Sequence, residues 1–279
     1  MILPHPNVRL HGVPQVMPTR YRARCGIAPT ARLAVTALLV LTCACETPRP
    51  RDSSARRNTG DEGPADPYQA DVDEGLGAAV AILVDTSGSM RDAAPGDQRP
   101  KYVVAQEALE AMLDATDAFV AKRPEFPIKI GIYSFSSYVR MLRPIQRYDR
   151  AAIRLALASL PNPGGGTAIG EALREARPDL YRAGVYRKYL LVVTDGENTS
   201  GRSPDEVVRE ISRKSEGAVQ VYFVAFDTSP AKFAFLKEVG GDVIAAGTGA
   251  ELRQALDGIY QGKILAEAPG AGEREPVKK

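Results

Sequence analysis

The sequence predicts an α/β fold in which a doubly wound, mostly parallel β-sheet is flanked by helices. Three observations support this prediction. Apolar runs typical of buried strands recur between residues 79 and 245, segments with helical periodicity separate them, and start and stop signals bound one of those segments. Strands that alternate with helices pair in parallel, because each helix carries the chain back to the edge where the next strand begins.

The predicted strands are short apolar runs. Four are strong, and two weaker ones follow the second and fourth of these. Continuous apolar runs of this length are typical of strands covered on both faces. The strong runs are 79–84, 128–135, 189–194 and 219–225, and the weaker ones are 138–142 and 243–245.

The first two predicted helices lie between these strands. Residues 100–120 place Val104, Leu109 and Leu113 on one face of a helix. Residues 168–181 show a similar pattern. Pro178 lies inside that segment and is expected to end or kink the helix, since proline lacks the N–H that an interior position donates.

The last two helices are predicted in the C-terminal half of the domain. The segment Ser203-Pro204-Asp205-Glu206 combines a capping box with proline at the first helical position. Gly217 supplies the stop signal. A final helix is expected over residues 250–260. Together these elements predict a single domain over 76–263.

The segments outside the domain have different compositions. Residues 1–45 are interpreted as an export segment of the signal or lipoprotein type. Residues 46–75 are rich in Pro, Arg, Asp, Ser and Gly, and a stretch with so few aliphatic side chains predicts a disordered tether. Residues 264–279 predict a flexible tail for the same reason.

The export interpretation depends on three features of the N-terminus. Arginines precede the apolar core "LAVTALLVL" at 33–41, which is too short for an ordinary transmembrane helix but suits a signal peptide. Cys43 and Cys45 then follow, and the "LTCAC" end resembles a bacterial lipoprotein signal. Met17 is an alternative start to Met1, and a plain cleaved signal or an uncleaved anchor are alternatives to lipidation. We therefore expect a cell-envelope location through a lipid anchor, or secretion.

The charge balance and the positions of the histidines and cysteines exclude several classes of function. The first 45 residues hold five arginines and no acid, which leaves 31 basic against 34 acidic residues for positions 46–279. This balance argues against a nucleic-acid surface. Both histidines and all three cysteines also lie within the first 45 residues. The domain therefore has no cysteine nucleophile, no Ser-His-Asp triad and no Cys/His zinc site.

Three loops that follow predicted strands or lead into a predicted helix carry hydroxyls and carboxylates. "DTSGS" contains Asp85, Ser87 and Ser89 directly after the first strand, "PGGGT" brings Thr167 to a helix start, and "VVTDG" places Asp195 after the strand at 189–194. Ligands of open α/β sheets bind at the carboxyl ends of the strands. Hard oxygen ligands of this kind suit Mg²⁺ or Mn²⁺ better than zinc.

The three segments, in this order, resemble the metal-ion-dependent adhesion site, or MIDAS, of the von Willebrand factor type A family. Asp85, Ser87, Ser89, Thr167 and Asp195 match all five positions. The resemblance covers about residues 76–262 and implies a Rossmann-like fold. It also implies that the serines bind the cation directly and Thr167 directly or through water. The two aspartates would then hold the coordinating waters and hydroxyls.

The resemblance implies a function as well. It points to a divalent-metal-dependent protein-binding module, of adhesion or scaffold type, whose cation accepts an Asp or Glu carboxylate from a partner protein. No enzyme activity and no nucleic-acid partner are expected. Two alternatives are a metal-dependent hydrolase or phosphatase-like enzyme and, if the chain is not exported, a cytoplasmic ATPase-associated adaptor.

Several residues near these loops receive simpler interpretations. Glu197 and Asn198 are expected to shape the loop after Asp195. Asp227, at the end of another strand, is interpreted as a helix-capping or turn acid. The charged loop 91–99 is either a solvated connection or part of the recognition rim, and the sequence leaves both open.

Overall fold

The computed structural model describes residues 75–266, which form a six-stranded sheet with helices on both faces. The strand order is β3-β2-β1-β4-β5-β6. Every neighbouring pair is parallel except β2 and β3, which form an antiparallel hairpin at one edge. This confirms the predicted fold class. The strands are β1 (Gly75–Asp85), β2 (Ile128–Phe135), β3 (Val139–Arg147), β4 (Val185–Thr194), β5 (Val219–Phe226) and β6 (Asp242–Ala246).

Among the described residues, four α-helices lie between strands and a fifth follows the last strand, together with shorter 3-10 and π segments. The 3-10 segments are Gly88–Arg91 and Pro230–Val239, and a π-helical segment covers Tyr260–Leu265. The helix α2 is not predicted from the sequence, because its nine residues give only about two turns of periodicity. The α-helices are α1 (Lys101–Lys122), α2 (Arg150–Ala158), α3 (Ile169–Tyr181), α4 (Pro204–Lys214) and α5 (Gly249–Ile259).

Side chains of the central strand alternate between two apolar cores. Val80, Ile82 and Val84 face the core formed with α1, α2 and α5, whereas Ala81 and Leu83 face the core formed with α3 and α4. All of them are at most 1% exposed. Burial on both faces explains why the strand is a continuous apolar run.

One of two predictions made at prolines is wrong. The helix α3 extends to Tyr181, the predicted bound, with Pro178 inside it, so the proline does not end the helix. The proline removes one backbone hydrogen bond, but burial of Leu180 on the same turn favours the helix. At the start of α4, Pro204 takes the first helical position as predicted. The Ser203 hydroxyl, however, donates to the Asp205 carboxylate and accepts no backbone N–H, so there is no capping box.

The predicted outer segments fall mostly outside the described residues. The export segment 1–45, nearly all of the tether 46–75 and residues 267–279 of the tail lie there. At the two ends of the domain the structure changes the boundaries, since β1 already includes Gly75, and Ile264 and Leu265 are buried against the core. Within residues 75–266, none of the helices is both long and apolar enough to cross a membrane.

The topology places the end of β1 in the middle of the sheet. From β1 the chain moves to β2 on one side of the sheet, and it later returns to β4 on the other side. The point where the strand order reverses is a crevice at the carboxyl ends of the strands, where ligands of such folds bind. Asp85 and Thr194 end the two strands that flank this crevice.

Candidate metal centre

Asp85 lies at the base of the crevice and is fully buried. Its Oδ1 accepts the backbone N–H of Ser87 at 2.7 Å, and its Oδ2 accepts the hydroxyl of Thr194 at 2.6 Å. Burial raises the pKa of this carboxyl to about 6, although the hydrogen bonds from Thr194 and Ser87 lower it. The carboxylate thus holds the β1 loop against the end of β4.

The two serines of this loop present their hydroxyls side by side. Ser87 Oγ and Ser89 Oγ lie 3.3 Å apart, with Ser87 buried and Ser89 exposed. The Ser89 hydroxyl donates to Asp195 Oδ1 at 2.7 Å. A hydroxyl that gives its proton to a carboxylate keeps its lone pairs for another partner. The exposed Ser89 oxygen can therefore act as an acceptor at the mouth of the crevice.

The glycine-rich loop carries Thr167 to the same place. A β-carbon built on Gly196 would lie 3.7 Å from Thr167 Oγ1 and 3.9 Å from Ser89 Oγ, so both hydroxyls adjoin one point beside the β4 loop. The glycine-rich loop is tied to the β1 loop by hydrogen bonds from Gly88 N to Gly165 O and from Gly164 N to Thr86 O. The structure thus brings all five predicted site residues together.

Hydroxyls from two further loops position the Thr167 segment. Ser137, in the hairpin between β2 and β3, accepts the Gly166 N–H at 2.8 Å. Thr199 accepts the Thr167 N–H, also at 2.8 Å. Gly165 has a φ of 80°, and a β-carbon there would lie 2.7 Å from the Ser137 hydroxyl, so glycine is required. The sequence analysis does not predict these two supporting residues.

Lys101 is a further residue of the site that the sequence analysis misses. It begins α1, and its side chain is only 8% exposed. The ammonium lies 3.0 Å from Asp195 Oδ2 and 2.7 Å from Asp227 Oδ2. Burial lowers the pKa of this ammonium, but the hydrogen bonds to Asp227 and Asp195 outweigh burial and hold the pKa above its ordinary value.

The structure decides between the two interpretations of Asp227. It lies in a turn, as one of them predicts, and it caps no helix. The following 3-10 segment is capped by Ser229, whose hydroxyl accepts the Ala231 N–H. Asp227 instead follows β5 with a φ of 51° and directs its carboxylate to Lys101. A charged residue at a strand end in this crevice is the one sequence signal for that role.

Asn198, Glu197 and the loop 91–99 lie near the site and make their own contacts. Asn198 accepts the Gly170 N–H and donates to the Arg202 carbonyl, so it shapes the loop as expected. Glu197 pairs with Lys232 at 3.2 Å. In the loop 91–99, Arg91 donates to the Pro163 carbonyl, which places this exposed arginine beside the glycine-rich loop.

The donor set fits a hard divalent cation. Within residues 75–266, no group of three or more His, Cys, Asp or Glu side chains could enclose a metal. The oxygens that converge are mainly hydroxyls, with two aspartates behind them. Mg²⁺ and Mn²⁺ prefer oxygen ligands and Mg²⁺ keeps several waters, whereas zinc favours nitrogen and sulfur. The residues present therefore suit Mg²⁺ or Mn²⁺.

Comparison with solved structures finds a similar fold in several proteins of low sequence identity. The PilB minor pilin from Streptococcus sanguinis is 16% identical with a TM-score of 0.56, and the alignment covers 68% of this chain but only 62% of the pilin. BatB from Bacteroides thetaiotaomicron, a conserved hypothetical protein, is 20% identical with a TM-score of 0.53 and is covered over 99% of its length, against 69% of this chain. Proximal thread matrix protein 1 from the mussel byssus, in a structure with a zinc-occupied MIDAS motif, is 19% identical with a TM-score of 0.51, over 70% of this chain and 46% of that protein.

Sequence comparison supports a domain assignment for part of the chain. A comparison with curated proteins found no match. Residues 80–197 match the family model of the von Willebrand factor type A domain. This segment begins in β1 and ends two residues after Asp195, so it includes all five residues of the candidate site. The family match and the shared fold together support a von Willebrand factor type A domain in this chain.

Proposed function

We propose that this protein is a divalent-metal-dependent binding module of the cell envelope. In this proposal Ser87, Ser89 and Thr167 hold Mg²⁺ or Mn²⁺, and the partner is a protein that offers an Asp or Glu carboxylate. The observation that carries the proposal is the convergence of three hydroxyls in front of two aspartates whose oxygens all accept hydrogen bonds. We assign no catalytic residue.

Each residue has a defined task in this proposal. Ser89 offers a lone pair because its proton goes to Asp195, and Asp85 keeps the serine loop in place through the Ser87 N–H. A bound cation would supply positive charge and an exchangeable position for the carboxylate. Because few charged ligands contact it directly, much of its charge remains for the partner. The surface beside the site, including Arg91 and the glycine-rich loop, would supply most of the specificity.

Binding of Mn²⁺ tests the metal part of the proposal. In the purified protein we expect Mn²⁺ to raise water-proton relaxivity above that of the free ion, because a slowly tumbling complex retains bound water. Acetate, as a probe for a single carboxylate, should displace water and lower the relaxivity. Acetamide, which has the same shape without the charge, serves as the control. Absence of Mn²⁺ binding, or equal effects of acetate and acetamide, contradicts the proposal.

The envelope location is a separate part of the proposal and derives from residues 1–45. We expect the mature protein either to lack this segment or to begin with a lipidated Cys43 or Cys45. Mass spectrometry of the mature N-terminus measures this directly. An intact Met1 or Met17 in the soluble cytoplasmic fraction would remove the envelope from the proposal and favour a cytoplasmic adaptor.

A further inference from the structure

We infer that Lys101, held by Asp227, is a positioning residue that keeps Asp195 from ligating the metal directly and so preserves the cation's charge for a partner carboxylate. This inference rests on the proposed function. It is supported by the contacts of Lys101, by the burial of its ion pair with Asp195 and by the charges at the site.

Both carboxylate oxygens of Asp195 already accept hydrogen bonds. Oδ1 accepts the Ser89 hydroxyl at 2.7 Å, and Oδ2 lies 3.0 Å from the Lys101 ammonium. The Asp195 side chain is fully buried, so water does not compete for these contacts. To ligate a cation with Oδ2, Asp195 would have to give up a buried ion pair, and breaking a buried pair is strongly unfavourable.

Lys101 is itself held in place by a second carboxylate, that of Asp227. A lysine has a flexible four-carbon stem and could follow Asp195 if the carboxylate moved. Asp227 opposes that movement, because its Oδ2 lies 2.7 Å from the same ammonium. Asp227 has a backbone φ of 51° and its N–H donates to Ala246 O, so its position is set by the ends of β5 and β6. The ammonium is thereby fixed between two strand ends.

The carboxylates at the site outnumber the ammonium groups. Asp85, Asp195 and Asp227 contribute three carboxylates at these strand ends, and Lys101 contributes one ammonium. Removing Lys101 would leave Asp195 without its cationic partner. An opposite charge within about 4–6 Å strongly favours the ionised form of a group, and a divalent cation is the strongest such charge available. Asp195 would then turn its free oxygen to the metal, replace a water and neutralise part of the cation's charge.

The inference predicts opposite effects on metal and carboxylate binding. In Lys101→Met we expect Mn²⁺ affinity to increase by about tenfold, because a repelling charge is removed and a charged ligand is gained. Water-proton relaxivity of the complex should fall by the share of about one bound water. The acetate-induced change in relaxivity should shrink at the same time. Loss of the lysine charge alone would raise the affinity without displacing a bound water, so the fall in relaxivity is the readout that identifies the positioning role.

Asp227→Asn provides a second variant in case Lys101→Met fails to fold. The Asp227 side chain is 36% exposed, so its neutralisation is tolerated more easily than a buried change. It should loosen Lys101 and lower the relaxivity of the Mn²⁺ complex by a smaller amount, while the loss of the Asp227 charge offsets the gain in affinity. Lys122→Met, at the exposed C-terminal end of α1, is the matched control and should change neither quantity.

The outcomes separate this inference from the proposed function. Wild-type protein that binds no Mn²⁺ contradicts both. Wild-type protein that binds Mn²⁺, with relaxivity unchanged in the variants that fold or with affinity lowered in Lys101→Met, overturns only the role of Lys101. Lower relaxivity with higher affinity in Lys101→Met, or lower relaxivity in Asp227→Asn if Lys101→Met does not fold, supports it, provided that Lys122→Met changes neither quantity.

Discussion

Ser87→Ala is expected to lower Mn²⁺ affinity by more than about 100-fold while the domain remains folded. Loss of a group that merely supports a metal ligand costs about 10–100-fold in affinity, and Ser87 is proposed as a ligand itself. The fold should persist because the bond from Ser87 to Asp85 uses the backbone N–H, which alanine retains. Isothermal titration with Mn²⁺ and urea unfolding of the same preparations measure the two effects.

Thr86→Val is the matched control for this substitution. Thr86 precedes Ser87 in the same loop and is equally buried, but its hydroxyl donates to the Phe135 carbonyl at 3.1 Å and takes no part in the site. We expect Thr86→Val to lower the free energy of unfolding by about 1 kcal/mol, the typical worth of one hydrogen bond, with Mn²⁺ affinity unchanged. Equal affinity in Ser87→Ala and wild type would exclude Ser87 as a ligand.

Gly170→Ala is expected to lower both stability and metal affinity. A β-carbon at this position of α3 would lie 2.1 Å from the Arg202 carbonyl oxygen, so the helix or the 199–203 loop must move. Overpacking of this kind costs about 1–3 kcal/mol, occasionally more. Metal affinity should fall too, because the moving loop contains Thr199, which holds the Thr167 N–H. Urea unfolding and Mn²⁺ titration test the two expectations.

Gly258→Ala is the control for Gly170→Ala and is expected to have the opposite effect on stability. Gly258 is exposed in α5, and a β-carbon there would meet no atom within 4 Å. Alanine in a helix is favoured over glycine by about 0.5–1 kcal/mol, so this variant should gain stability and keep its metal affinity. If Gly170→Ala behaved like Gly258→Ala, the close contact between α3 and the 199–203 loop would be refuted.

Much of the fold could be predicted from the sequence because each strong signal is local. The apolar runs at 79–84, 189–194 and 219–225 all fall within observed strands. Predictions that depend on the partner of a single hydrogen bond were less reliable. The Ser203 hydroxyl has two acidic neighbours within three residues, and the sequence pattern does not say whether it will meet a backbone N–H or the Asp205 carboxylate.

The sequence by itself determined the sheet class, the loop chemistry and the identities of the five residues that the structure brings together, since these depend on periodicity and on short motifs at strand ends. Only the tertiary structure decided how the two aspartates are held. Lys101 and Asp195 lie 94 positions apart, and Thr194 and Asp85 lie 109 apart. Such pairs form because parallel strands bring their carboxyl ends to one edge of the sheet, and the partner of a charge at that edge depends on strand order, which no local pattern encodes.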